Sequence, residues 1–122
     1  MSLAFLGDAV FELMVREYLC RNGNMPAHVL HVKAVKMVCC AAQAKSASLI
    51  TPLLTEDEMA IFKRGRNAHS STVPKNAKPA DYRAATGLET LFGYLYLKGE
   101  HERIQMLFDA ICTGIIETEQ TE

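Results

Sequence analysis

Phe5-Leu6-Gly7-Asp8-Ala9-Val10 sets a carboxylate in the middle of an apolar helical stripe, directly after a glycine. Asp8 in that setting has to face something other than water. A carboxylate among apolar side chains is costly unless it is neutralised, hydrogen bonded or bound to a metal, which makes the position a candidate site. The plainer reading of the same residue is an Asp near a helix N-terminus that stabilises the macrodipole.

Far down the chain, Ala85-Thr86-Gly87-Leu88-Glu89-Thr90-Leu91-Phe92-Gly93-Tyr94-Leu95-Tyr96-Leu97 holds a second carboxylate with almost no polar company. On a helix Glu89 shares its face with Thr86, Gly93 and Tyr96, so a glycine there lets another backbone approach closely. Gly7 offers the same opening beside Asp8. Two helices notched in this way can pack tightly and bring both acids to one point, the arrangement a hard divalent cation needs. Two unrelated acids at opposite ends of one core would satisfy the spacing equally well.

The signature around Asp8 resembles the first acidic helix of the ribonuclease III endonuclease domain family, and the run from Thr86 to Leu97 resembles that family's second acidic helix. Lys63-Arg64-Gly65-Arg66-Asn67 is similar to its basic stretch. Arg64-Gly65-Arg66-Asn67-Ala68, Pro74-Lys75-Asn76 and Tyr82-Arg83 before Ala85-Thr86 resemble the short branch of the family, Mini-ribonuclease III, which lacks a double-stranded-RNA-binding domain. The likeness covers nearly the whole chain. Full-length members carry a Glu four residues before the signature Asp, where this chain has Ala4, and an Asp three residues before the second Glu, where it has Thr86. Asp8 and Glu89 are therefore the expected metal ligands and catalytic pair. Mg²⁺ suits so small a set, because it keeps several waters and takes one or two carboxylates plus phosphate oxygens. The signature helix also begins within four residues of Met1, where members of the family have a short preceding segment, so a shortened N-terminus is expected.

With 122 residues the chain is expected to form one domain, 1–122, large enough to bury roughly two-thirds of its unfolded surface. No apolar run is long enough for a membrane span and no signal peptide is readable, so a cytoplasmic protein is expected. Cys20, Cys39, Cys40 and Cys112 show no C-x-x-C spacing and are read as reduced, buried thiols. Net charge is only −1, but six basic residues stand against one acid from Lys63 to Arg83, leaving the rest of the chain at −6. Such segregation is the footprint of phosphate contact through counterion release, although a solvated loop would look the same.

The periodicity predicts helices throughout and no strand. A first helix runs from Ala4 to Arg21, ended by Asn22-Gly23-Asn24, with Glu12 free to pair with Arg16 and leave Asp8 unpaired. Pro26 opens a second helix to Lys36, and a third covers 38–50. Thr55 and Glu58 form a capping box that launches a fourth helix toward Arg66. Residues 70–79 read as a mobile basic loop. A fifth helix spans 80–97 and stops at Gly99, a last one spans 101–116, and the acidic tail from Glu117 is expected to fray. His28 and His31, at i and i+3 without a third ligand, are read as surface histidines.

The expected fold is thus an all-α bundle of the ribonuclease III endonuclease-domain type. What the resemblance implies is a magnesium-dependent endoribonuclease that cuts double-stranded RNA as a homodimer in a bacterial cytoplasm. The cut would leave 5′-phosphates, in maturation of large-subunit (23S) ribosomal RNA precursor. Lys63, Arg64, Arg66, Asn67, Lys75, Asn76 and Lys78 are the expected RNA contacts. Phe5 is either the aromatic that the family plugs into its partner subunit or an ordinary core residue. The alternative function is a non-catalytic RNA-binding or ribosome-associated module on the same fold, given the acids missing at Ala4 and Thr86. An all-helical protein-interaction domain would explain the apolar helices but not the paired acids.

Overall fold

The structure, a computed structural model, describes residues 2–68, 73 and 75–121, the side chains of 119–121 excepted. Six helices follow one another: α1 (Ser2–Arg21), α2 (Ala27–Val38), α3 (Cys40–Ile50), α4 (Glu56–Arg66), α5 (Pro79–Leu97) and α6 (His101–Thr121), with a 3-10 turn at Thr51–Leu53 between α3 and α4. No strand occurs among the described residues, so the all-α expectation holds. Of the expected mobile loop, Ser70, Ser71, Thr72 and Pro74 lie outside the described residues.

Local chemistry sets the boundaries. Thr55 accepts from the Glu58 N–H at 3.2 Å while Glu58 Oε1 accepts from the Thr55 N–H at 2.9 Å, the capping box read from sequence. Pro79 occupies the start of α5, where its missing N–H costs nothing. Gly99, at φ 74°, closes α5: its N–H donates to the Tyr96 carbonyl and that of Glu100 to the Leu95 carbonyl, a Schellman motif that needs a left-handed residue. Cys39 caps the end of α2 and the start of α3 in an extended conformation, which shifts the expected junction by two residues. The tail differs more. Instead of fraying at Glu117, α6 continues to Thr121, since no Gly or Pro interrupts it after Gly114 and the Thr118 hydroxyl donates to the Gly114 carbonyl at 2.8 Å.

α5 is the axis of the bundle. Ala85 to Leu88, Thr90 to Gly93 and Leu95 are all buried, and α1, α3, α4 and α6 pack around it. A helix apolar on nearly every side can only be central. Phe11 of α1 meets Phe92 edge-on at 5.6 Å and Phe108 of α6 at 5.9 Å, joining three helices through one aromatic cluster. α4 and α6 are tied by Arg103, whose guanidinium donates to both Glu58 oxygens (2.8 and 2.6 Å) and to the Leu53 carbonyl (2.9 Å).

Two expectations need revision or restatement. The thiols are not all buried: Cys112 is, Cys40 is half-buried, and Cys20 and Cys39 are exposed, because apolar neighbours in sequence do not place a residue on the inward side of its helix. All four are free. Among the described residues no helix is long and apolar enough to cross a membrane.

Candidate active site

Gly7 and Gly93 bring the two acids together. A Cβ at Gly7 would overlap the Glu89 carbonyl and come within 2.9 Å of the Gly93 nitrogen, and a Cβ at Gly93 would overlap the Leu3 carbonyl. At this crossing α1 and α5 touch backbone to backbone, as only glycine permits. Asp8, next to Gly7, and Glu89 consequently point to one place, with their carboxyl groups within hydrogen-bond reach of each other. Contrary to the expectation that it would face away from water, Asp8 lies on the exposed rim, since the apolar residues around it, Phe5, Ala9 and Leu13, are themselves exposed, and Glu89 reaches it from a half-buried position.

The electrostatics of the pair are unbalanced. Burial first, then the hydrogen bond and negative charge of Asp8, push Glu89 up to about 8, opposed only by a hydrogen bond from the Gln43 side chain. No ion pair reaches either acid among the described residues: Glu12 is taken by Arg16 at 2.9 Å, as expected, and the other pairs are Arg21–Glu17 and Arg103–Glu58. Two carboxyl groups crowded together without a compensating cation are short of positive charge. That is the condition a hard dication relieves.

The positions where full-length relatives carry further acids add no carboxylate here. Ala4 is buried, and the Thr86 hydroxyl donates to the Tyr82 carbonyl at 2.9 Å. Among the described residues no three His, Cys, Asp or Glu side chains converge as a ready-made metal cage. A cation held by Asp8 and Glu89 would complete its shell with water and phosphate oxygens, which magnesium does readily. The residues present fit that ion.

Sequence reasoning missed two neighbours of the pair. Gln43 of α3, only 3% exposed, reaches Glu89, and the Cys40 thiol, one turn earlier, is pushed up by burial and then by Asp81, Cys39 and Glu89. Gln43 shares a stripe with Ala47 and Ile50, both buried, so a polar residue on an apolar stripe, the signal used for Asp8, would have found it.

Expected RNA contacts occupy the surface. Lys63, Arg64, Asn67, Lys75, Asn76 and Lys78 are exposed and Arg66 is half-buried, its Nε donating to the Asn67 side chain at 3.3 Å. Gly65 sits against Gly87 and Thr90, so the basic last turn of α4 flanks the turn of α5 that carries Glu89. His28 and His31 are exposed, as expected. Phe5 is 86% exposed, which removes its core reading, and Leu13, two turns along the same face of α1, is 62% exposed.

Residues 1–100 match the model of the ribonuclease III domain family. Relatives include the Mini-ribonuclease 3 of Thermoanaerobacter sp. (strain X514), 47% identical over 88% of this chain and 75% of its own length. That of Symbiobacterium thermophilum is 44% identical over 94% and 88%, and that of Enterococcus faecalis 42% identical over 98% and 92%. Among solved structures, a crystal structure of a Fusobacterium nucleatum protein superposes with a TM-score of 0.82 at 31% identity, covering 89% of this chain and 88% of that one.

Proposed function

The chain belongs to the ribonuclease III domain family, in its Mini-ribonuclease 3 branch, and is an endoribonuclease; on that footing we propose that Asp8 and Glu89 form its hydrolytic centre and that double-stranded RNA is its substrate. One observation carries the reading: two carboxyl groups 81 positions apart in sequence meet at a glycine-glycine helix crossing, with no cationic side chain paired to either among the described residues.

In this mechanism Asp8 and Glu89 would hold Mg²⁺. When bound, the ion supplies a lowered pKa for water and neutralises charge developing on the scissile phosphate and the leaving 3′-oxygen. The protein's own part is positional. Backbone contact at Gly7 fixes the separation of the two acids, Asp8 on the rim meets the phosphate strand first, and half-buried Glu89 excludes bulk water from its side of the pair. Hydrolysis adds water across the phosphodiester, breaking the bond from phosphorus to the 3′-oxygen, so the products are a 5′-phosphate and a 3′-hydroxyl.

Lys63, Arg64, Arg66, Asn67, Lys75, Asn76 and Lys78 would contact phosphates and set affinity and register. Recognition of the A-form helix would rest on its shape and 2′-hydroxyls, because the deep major groove hides base edges. A homodimer related by a two-fold axis would cut both strands of a duplex, one per subunit. Support for that assembly is the apolar row of Phe5, Ala9 and Leu13, all exposed on α1. The cellular task we assign is maturation of large-subunit ribosomal RNA precursor in the cytoplasm.

A cleavage assay on duplex RNA, with magnesium and with chelator, tests the reading. The parent cuts only with the metal, and Asp8→Asn and Glu89→Gln each lose at least a hundredfold in rate while circular dichroism and oligomeric mass stay unchanged. Retained cutting by either variant removes that residue from the centre. Tight RNA binding without cutting would return the chain to the alternative of a binding module.

A further inference from the structure

Asp8 lies at the open rim, but Glu89 depends on a third element to hold its direction. Its side chain has three rotatable bonds, and with both carboxyl groups ionised, as a bound cation requires, repulsion from Asp8 favours rotamers that swing it away. Gln43 stands on the other side. It is 3% exposed at the interface of α3 with α5, on the same stripe as Ala47 and Ile50. Burying a carboxamide is unfavourable unless it is hydrogen bonded, and the group it acts on here is the Glu89 carboxyl, whose charged form it favours. A Leu or Met would fill the same volume without that cost, so the amide is the feature to be explained.

We propose that Gln43 is the positioning residue of the acid pair: packed between α3 and α5, its side-chain N–H donates to the Glu89 carboxylate and holds it turned toward Asp8 for cation capture. The inference rests on the reading of Asp8 and Glu89 as cation ligands. A neutral amide suits the task better than Lys or Arg, whose charge would satisfy Glu89 outright and compete with the metal. It also suits it better than Asp or Glu, which would add a third like charge. Gln43 does not touch the RNA. Partners of this kind orient ligands, and their loss typically weakens metal binding by about 10–100-fold.

Mn²⁺ titrated into the RNA-free protein at fixed pH, followed by electron paramagnetic resonance, is the direct readout, with kcat and KM on duplex RNA measured alongside. Gln43→Met keeps the length and packing volume but loses the donor; Gln43→Asn keeps the amide on a shorter side chain that falls short of Glu89. Both are expected to bind Mn²⁺ at least about tenfold more weakly, to lose kcat at a fixed metal concentration with KM for RNA unchanged, and to regain kcat as metal is raised. Parent-like Mn²⁺ affinity in either folded variant, with or without a lowered melting temperature, overturns the proposal and leaves Gln43 a structural residue. If the parent binds no Mn²⁺, both the proposal and the ligand pair beneath it fall. If Mn²⁺ affinity drops as expected in a parent that cuts no RNA, the role of Gln43 stands and the ribonuclease centre is what fails.

Discussion

Glu89 is the residue on which pH acts. Burial and Asp8 push it up to about 8 from 4.5, so over that interval the folded chain keeps a proton that the unfolded chain has released. Stability from this group is complete below the unfolded value and declines as pH rises through the folded one. Glu89→Gln abolishes the dependence: its melting temperature is expected to exceed the parent's at pH 8.5, with the gap closing toward pH 5. A gap independent of pH would show that Glu89 is not held protonated. Both acids were legible in sequence because each stands alone in an apolar run beside a glycine. Gln43 stands out as a polar residue on the apolar stripe of α3, but its link to Glu89 was not legible, because it exists only once α3 has docked on α5.

At the scale of elements, the strongest polar tie outside the site joins α4 to α6. Glu58 both caps its own helix and receives Arg103, and that hydrogen bond is the first cause that lowers it below its ordinary value. The sign is opposite to that of Glu89. This contribution is present above the ordinary Glu range and disappears as pH falls through the lowered folded value. Arg103→Met leaves an unpaired carboxylate that is 8% exposed, at an expected loss of about 3 kcal/mol near neutral pH, and the loss should shrink as the pH approaches 3. An unchanged penalty at low pH would assign the effect to packing instead. The capping half of Glu58 was readable from the spacing Thr55 to Glu58. Its partner, 45 residues on, carried no local signal. Helix ends followed the same rule: Gly99 announced itself, whereas Pro79, read as the last residue of the loop, opens α5, and the break at Cys39 and the persistence of α6 to Thr121 depend on no marker residue.

The whole molecule separates its charges. An acid pair lies at one helix crossing, the basic last turn of α4 packs beside the same central helix, and Lys75 and Lys78, just before that helix, are exposed. Neutralising Lys75 and Lys78 is expected to weaken RNA binding and flatten its dependence on salt, by roughly 0.9 in log–log slope per lost contact on the duplex-DNA scale. An unchanged slope would make them bystanders. Composition hid this division, since the net charge is close to zero, while position along the chain revealed it. The exposure of Phe5 was not decidable from sequence, because an aromatic at the start of an amphipathic helix can turn to either side until the crossing at Gly7 fixes the rotation of α1.

The central claim is that Asp8 and Glu89 together hold one divalent cation against the RNA strand. Anomalous diffraction from crystals soaked in Mn²⁺ locates such an ion without reference to activity. The account predicts a peak bridged by the two carboxyl groups, directly or through one water, that disappears in Asp8→Asn. A peak elsewhere, or none at this crossing while the metal supports cleavage in solution, would contradict it.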